Sequence, residues 1–218
     1  MRNYPSKYNS LSKSFLRITE FYDYVAEDLG QEFLKFAVEC QAFKFGDFTL
    51  KDGSKSDVFF DSSSFNSGNK LRKLSRFLAE AIQLEIPECN LIYGSAYKGI
   101  PLACAVSVEL VELRGKDVGY LFDRKEEKKH GDGGSFVGKV PTSEDVIVFV
   151  DDVITSASTK IAGIEKVLRA FDVKFAAIFV GVDRRSPSGL AVKNVPVYSL
   201  ATLQEAREFH SSIKGARL

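Results

Sequence analysis

Apolar residues follow two periods along the chain, and from about residue 90 the two periods alternate. Short runs that are apolar at nearly every position have the length of buried strands, whereas longer stretches with apolar residues three or four positions apart indicate helices. The predicted strands are 90–94, 117–122, 145–150, 174–182 and 195–200. The predicted helices that separate or follow them are 99–113, 157–170 and 202–210. This alternation predicts the α/β class, with a central, mainly parallel sheet flanked by helices.

The residues before position 90 have a different pattern. Residues 20–29 and 31–42 predict two short helices divided by Gly30, and residues 43–61 predict a hairpin of two aromatic-rich strands. Residues 67–85 predict a longer helix with a serine cap and one apolar face. We therefore expect one domain over 20–218, with a small N-terminal hood of helix plus hairpin at about 20–65 and a core at about 66–210. Residues 1–19 are an extension.

Composition and charge exclude several classes of protein. The chain is 44% hydrophobic and 27% charged, as in ordinary globular proteins. Its formal net charge of +1 gives no support for a nucleic-acid or membrane-surface partner, so we expect neither. The longest apolar runs have the length of strands. The three cysteines have no paired spacing, which favours a reducing compartment, and we expect the cytoplasm.

The most informative segment begins where the central strand 145–150 ends. Asp151 and Asp152 come first, and hydroxyl side chains follow where the next helix begins, namely Thr155, Ser156, Ser158 and Thr159. A helix N-terminus holds phosphate well, while adjacent carboxylates repel phosphate and suit sugar hydroxyls. The segment therefore predicts a sugar-phosphate site, with the acids on ribose and the hydroxyls on the 5′-phosphate. The alternative is an acidic helix cap with no ligand.

This segment, VFVDDVITSAST at 148–159, resembles the phosphoribosyl-pyrophosphate (PRPP) signature of the type I phosphoribosyltransferases. The resemblance implies the type I phosphoribosyltransferase fold. The chain departs from the usual signature at Ala157, where the family has glycine, and at Ser158, where it has threonine. An alanine at position 157 would be strained if the backbone there needs a positive φ.

Three other strand ends carry charge or glycine. Residues 124–134, which we call the flap, combine five possible cations with three glycines. Alone, such a run is typical of a solvated loop, but a mobile cationic flap also suits a reaction that releases pyrophosphate. Residues 94–101 place Lys98 in a turn between Gly94 and Gly99. Arg184 follows the strand 174–182, where it could grip a carboxylate or form an ordinary surface ion pair.

Taken together, KFGDFTLKDG, GSAYKGIP, RKEEKKHGDGG and VDDVIT resemble the orotate phosphoribosyltransferase family over about residues 31–210. The resemblance implies Mg²⁺-dependent transfer of the 5-phosphoribosyl group from PRPP to orotate in pyrimidine biosynthesis. It implies no direct protein ligand for Mg²⁺, which PRPP and water would hold. It also implies a homodimer with flap residues shared across the interface. Two further departures are Lys129, where many relatives have an acid, and Asp61-Ser62-Ser63 in place of Asn-Ala-Gly.

The same resemblance assigns roles to individual residues. Those implied to bind PRPP are Lys51, Tyr97, Lys98, Arg124, Lys125, Lys128, His130, Asp151, Asp152, Val153, Ile154, Thr155, Ser156, Ala157, Ser158 and Thr159. Those implied to bind orotate are Phe59, Phe60, Thr155 and Arg184. The expected catalytic residues are Lys128, His130, Arg124 and Asp152, with Lys128 as the main catalytic side chain.

Three alternative functions differ from this expectation. An enzyme of the same fold could act on a purine base or uracil, but Lys51 and Arg184 argue against a neutral base. A PRPP-sensing regulator would show a broad basic face and would lack the flap cations. A bifunctional pyrimidine enzyme would need a decarboxylase domain, and we expect none in the eight residues after position 210.

Overall fold

The computed structural model describes residues 28–49, 53, 55–128 and 134–215. Its main sheet has six strands in the order β5-β4-β3-β6-β7-β8, and every neighbouring pair is parallel except β4 with β5. The strands are β3 (Leu91–Gly94), β4 (Gly119–Lys128), β5 (Gly134–Gly138), β6 (Ile147–Ile154), β7 (Phe175–Asp183) and β8 (Val197–Thr202). The prediction of a mainly parallel central sheet is confirmed.

Two hydrophobic cores cover the two faces of this sheet. Alternate side chains of β6 divide between them, with Val148 and Val150 in one core and Ile147 and Phe149 in the other. The helices are α1 (28–39), α2 (Gly68–Glu85), α3 (Gly99–Arg114), α4 (Ser158–Ala170) and α5 (Leu203–Gly215). Buried residues of α2 and α3 join the first core, and those of α4 join the second. Because both faces are covered, β6 is apolar along its first half, as predicted for a central strand.

The hood also has the predicted composition of helix plus hairpin. Strands β1 (Phe43–Thr49) and β2 (Lys55–Phe60) pair antiparallel, with Phe43 opposite Phe60. The ring of Phe45 stacks on that of His210 in α5, with 3.7 Å between the ring centroids. Buried residues of α1 and of the hairpin belong to the same core as α2 and α3, so the hood is packed against the sheet domain.

The predicted helix ends differ from the observed ones at several places. Helix α1 continues through Gly30, which is buried, so the predicted division there is wrong; residues 20–27 lie outside the described residues. A glycine lowers helix propensity by an amount that packing readily outweighs. The helix stops at residue 39 rather than 42, because Gln41 adopts φ 58° and the amide of Ala42 bonds back to the carbonyl of Ala37.

Two strands reach further than their apolar runs, and one strand was not predicted. Strand β4 continues into the polar flap as far as Lys128, whose backbone pairs with Gly134 of β5. Hairpin strands at a sheet edge need no continuous apolar run, since their backbone hydrogen bonds suffice for pairing. Strand β6 contains Asp151 and Asp152 instead of ending before them. Helix α5 begins after Thr202 as predicted, but continues to Gly215 rather than ending at 210.

Candidate active site

The carboxyl edge of the sheet brings four segments of the sequence together. Asp152 at the end of β6 contacts Lys98, which follows β3, and Ser62 of the hood. The amide of Arg184, after β7, donates to the carbonyl of Ile154 at 2.9 Å. Asp123, in β4 beside the flap, accepts from the amide of Ala96 at 3.0 Å. The site is therefore assembled at the edge where ligands bind in parallel α/β sheets.

Asp151, the first acid of the pair, is held by a buried lysine. The ammonium of Lys160 in α4 lies 2.5 Å from Asp151 Oδ2 and 2.5 Å from the carbonyl oxygen of Val153. Lys160 is only 5% exposed, so this ion pair is closed to solvent. Burial raises the pKa of Asp151, and the charge of Lys160 opposes but does not cancel that effect. Removing Lys160 would therefore leave a carboxylate buried without its cation.

The second acid, Asp152, is held by an exposed lysine and a serine. Lys98 Nζ lies 3.1 Å from Asp152 Oδ2 and 2.7 Å from Ser62 Oγ, and the Ser62 hydroxyl also donates to Asp152. The side chain of Lys98 is 66% exposed, in contrast to that of Lys160. Burial raises the pKa of Asp152, but the bonds from Ser62 and Lys98 outweigh burial and hold it below its usual value. Asp152 is therefore anionic at neutral pH, and its lysine partner is open to solvent.

The hydroxyl-rich turn after β6 has the geometry of an anion cradle. Thr155, Ser156, Ser158 and Thr159 are all exposed where α4 begins. Ala157 precedes the first turn of α4 in a left-handed conformation, with φ 61° and ψ −6°, and its side chain forms no cap. The free amides of a helix start and these hydroxyls suit a phosphate group. Val153 and Ile154 can offer such a ligand only their backbone, since the Ile154 side chain is fully buried.

The loop between β3 and α3 depends on two glycines. A methyl group on Gly94 would lie 2.1 Å from the carbonyl oxygen of Gly99, so any side chain there would force the turn open. The Ala96–Tyr97 peptide bond is cis, Tyr97 is exposed, and Lys98 leads directly into α3. The close approach of the two glycines thus aims Lys98 at Asp152.

Two consecutive arginines after β7 have different surroundings. Arg185 donates to both carboxylate oxygens of buried Asp183, at 3.0 and 2.7 Å, and to the carbonyl of Leu190. The Nε of Arg184 is buried, and among the described residues no acceptor lies within hydrogen-bond distance of it. Arg185 thus stabilises its own loop, whereas Arg184 has a donor that the fold around it leaves unsatisfied. The resemblance assigns the carboxylate grip to Arg184, and this assignment stays a prediction.

The remaining predicted residues divide into three groups. Phe60 packs in the hydrophobic core against Phe43, so its ring is structural, while the ring of Phe59 on the opposite face of β2 is partly exposed and packs on Phe48. The Nε of Arg124 is buried and has no acceptor among the described residues. Lys51, Lys129 and His130 lie outside the described residues, as do the side chains of Lys125 and Lys128.

The sequence did not indicate the side chains that pair with the predicted site residues or connect their segments. Lys160 is a charged residue on the buried face of α4, and Ser62 lies 90 positions before its partner Asp152. Asp123 and Lys166, which pair at 3.0 Å, are 43 positions apart. A buried lysine next to an acid pair is detectable in principle, because α4 is apolar at Ile161 and Ile164 and its inner face includes position 160.

The described residues contain no cluster of three or more His, Cys, Asp or Glu side chains arranged to hold a metal ion. In the same part of the chain, no helix is both long enough and apolar enough to cross a bilayer.

Comparisons with known proteins agree with this geometry. No family model matches the chain. The orotate phosphoribosyltransferase of Bifidobacterium adolescentis is 38% identical over 204 residues, covering 86% of this chain and 88% of that protein. That of Nitrosococcus oceani is 45% identical over 154 residues, covering 71% and 69%.

A solved structure extends the similarity to three dimensions. The crystal structure of the Francisella tularensis orotate phosphoribosyltransferase superposes with a TM-score of 0.70 at 31% identity, covering 83% of this chain and 86% of that one. The parallel sheet, the hood and the acid pair before a phosphate cradle define a type I phosphoribosyltransferase. Within that class, the chain belongs to the orotate phosphoribosyltransferase family.

The buried pair predicts a pH-dependent stability loss in Lys160→Met. Without Lys160 the pKa of Asp151 rises further, so the folded state binds a proton that the unfolded state releases. Such a group lowers stability most at high pH, and the penalty shrinks as pH falls toward the unfolded pKa. We expect a loss of about 3 kcal/mol or more at pH 8 and a smaller loss at pH 5, measured by urea unfolding. The control, Lys98→Met, removes an exposed lysine and leaves the Ser62 hydroxyl bound to Asp152, so it should cost less than Lys160→Met. Equal losses at both pH values would contradict this account.

The left-handed backbone of residue 157 predicts that Ala157→Gly stabilises the protein. The strain of a non-glycine residue in this region is roughly 1 kcal/mol, and glycine removes most of it. We expect thermal unfolding to shift upward. The matched control is Ala162→Gly, in the exposed interior of α4, which should instead lose about 1 kcal/mol. If both substitutions destabilise equally, the strain at residue 157 is not significant.

Proposed function

We propose that this protein transfers the 5-phosphoribosyl group from PRPP to orotate, giving orotidine 5′-monophosphate and pyrophosphate, as a step in pyrimidine biosynthesis. The observation that carries this proposal is the joint presence, at one edge of the sheet, of an anionic Asp152 and the unsatisfied Nε of Arg184. The acid suits the ribose hydroxyls, and the arginine suits the carboxylate that distinguishes orotate from uracil.

The site residues take roles that follow from their positions. The ribose hydroxyls would replace Ser62 and Lys98 on Asp152, which frees Lys98 for the pyrophosphate. The 5′-phosphate would lie on the turn at 155–159. Phe59 and Thr155 remain proposed contacts of orotate. The inward packing of Phe60 limits it to supporting Phe59 and the hood. The other proposed contacts of PRPP are Lys51, Tyr97, Lys125 and His130.

The proposed reaction needs fixed positive charge and well-positioned substrates, and it needs no nucleophilic side chain. The bond from ribose C1′ to pyrophosphate breaks, and the ribose becomes oxocarbenium-like. Orotate N1 forms the new bond and gives up its proton to the departing pyrophosphate. No covalent intermediate is needed, so the rate depends on fixed cations around the leaving group and on alignment of the two substrates. We assign the flap cations Arg124, Lys128 and His130 to the leaving pyrophosphate.

Mg²⁺ is the proposed cofactor, and the residues of the site are compatible with it. Both acids are already paired with lysines, so a cation held by PRPP oxygens and water suits the site better than one held by the protein. When bound, Mg²⁺ would neutralise charge on the pyrophosphate.

We propose that the active form is a homodimer. Helix α3 is apolar on most sides, and Val108, on its outward face, is 65% exposed. A helix of this kind is normally covered on all sides. The groove beside Val108, between α2 and α3, also carries Arg72 and Glu112, so two copies related by a two-fold axis could pair opposite charges.

The location of the protein in the cytoplasm stays a prediction.

Two alternatives keep the same fold. A purine- or uracil-specific enzyme would have no use for the unsatisfied Arg184, and a PRPP-binding regulator would not consume orotate. The first experiment therefore mixes the protein with PRPP, Mg²⁺ and orotate, uracil or hypoxanthine, and follows base consumption by ultraviolet absorbance.

We expect consumption of orotate that requires both PRPP and Mg²⁺, and none of uracil or hypoxanthine. Arg184→Met should raise the KM for orotate at least tenfold, because a charge-assisted contact is lost. Arg185→Met, the neighbouring control, should instead lower thermal stability, because it leaves Asp183 buried without its cation. Turnover of uracil at a rate equal to that of orotate would refute the substrate assignment.

The flap assignment predicts that Lys128→Ala lowers kcat at least a hundredfold while PRPP still binds, because the cation acts on charge that develops in the transition state. An unchanged kcat would refute the role of Lys128.

Mixing the Lys128→Ala and Arg184→Met proteins after reversible dissociation tests whether the flap acts across the interface, when activity is measured at an orotate concentration far below the raised KM of Arg184→Met. If Lys128 reaches the partner's site, each hybrid dimer has one intact site, and about a quarter of wild-type activity should return at equal mixing. No recovery in confirmed hybrids would place Lys128 in the site of its own subunit.

A further inference from the structure

One carboxylate, that of Asp123, joins three segments around the proposed pyrophosphate site. Its Oδ1 accepts from the amide of Ala96 at 3.0 Å and from the hydroxyl of Tyr93 at 3.1 Å. Its Oδ2 accepts from Lys166 Nζ at 3.0 Å. The carboxylate thus has three donors from β3, from the loop that presents Lys98, and from α4.

Lys166 extends this link to the backbone of the flap. The same ammonium donates to the carbonyl oxygen of Arg124 at 2.5 Å and lies 5.7 Å from the ring centroid of Phe136 in β5. It therefore contacts both strands of the hairpin that carries the flap, from a helix whose first turn forms the phosphate cradle. Its side chain is 29% exposed, so this contact is largely shielded from solvent.

The contacts fix backbone atoms and leave cationic groups available. At Arg124 the carbonyl is held by Lys166, while the buried Nε has no acceptor among the described residues. At Ala96 the amide is held by Asp123, one residue before exposed Tyr97 and two before Lys98. In each segment a backbone anchor lies next to side chains assigned to pyrophosphate.

We propose that Asp123 and Lys166 are a positioning pair that fixes the 95–98 loop and the first flap residue, Arg124, relative to each other, so that both segments act on one pyrophosphate group. This inference rests on the proposed function. Neither side chain touches substrate in this account. The pair acts through the backbone of Ala96 and Arg124.

A positioning role of this kind has a consequence that a general structural role does not. It should affect ligands that carry pyrophosphate and leave orotidine 5′-monophosphate, which carries none, almost unaffected. A loss of fold stability would weaken all ligands alike. The ratio of the two affinities therefore separates the roles.

The experiment measures dissociation constants for PRPP with Mg²⁺ and for orotidine 5′-monophosphate, by calorimetry on the full chain. Lys166→Met removes the hydrogen bonds to Asp123 and to the carbonyl of Arg124, so it should weaken PRPP binding at least tenfold. The dissociation constant of orotidine 5′-monophosphate should stay within about twofold of the wild-type value. Lys166→Arg keeps the charge and should recover part of the PRPP affinity. Lys174→Met, on the exposed surface before β7, is the control and should change neither value.

Asp123→Asn is the second test, and it also serves if Lys166→Met fails to fold. The amide oxygen can still accept from Ala96 and Tyr93, so only the pairing with Lys166 is lost. Because both substitutions break the interaction between Asp123 and Lys166, the double variant should bind PRPP no more weakly than Lys166→Met alone.

Three results would overturn the positioning role of Asp123 and Lys166. One is an equal loss of affinity for PRPP and for orotidine 5′-monophosphate in Lys166→Met. The others are full additivity in the double variant and unchanged PRPP affinity in Asp123→Asn. Absence of PRPP binding by the wild-type protein would overturn the proposed function along with it.

Discussion

The burial of two adjacent carboxylates at the end of the central strand is the constraint on which the rest of the site depends. Asp151 and Asp152 are both less than a tenth exposed, and an unpaired buried charge is costly. Each therefore has its own lysine, Lys160 from α4 and Lys98 from the β3–α3 loop. The position of α4 and the tight loop at 94–99 both serve this neutralisation.

The two lysines differ in their exposure to solvent, so the two acids that they neutralise have different surroundings. Lys160 is closed in, and a second bond to the carbonyl of Val153 keeps it in place, so Asp151 is a fixed part of the frame. Lys98 is exposed and shares Asp152 with Ser62, and on this ground we propose that a substrate's hydroxyls replace it there. A pair of identical acids thus comes to have one fixed member and one available member.

A similar division holds in the rest of the site. Arg185 is bound to Asp183 and shapes its own loop, whereas the neighbouring Arg184 keeps an unsatisfied Nε. Phe60 is in the core, whereas Phe59 is partly exposed. The two phenylalanines differ because neighbouring side chains of a strand face opposite sides. In each pair one residue is held within the fold, and the other is the one for which we propose a ligand contact.

The sequence by itself determined the order of strands and helices, the central position of β6 and the chemistry at the strand ends, because hydrophobic period and local motifs are properties of neighbouring residues. It did not predict β5, whose pairing with β4 depends on backbone hydrogen bonds rather than on apolar side chains. The tertiary structure alone decided which cation meets which acid. Lys98 lies 54 positions from Asp152, and Lys166 lies 43 from Asp123. Such partners meet only when the sheet sets its strands side by side, and no local pattern records a contact of that range.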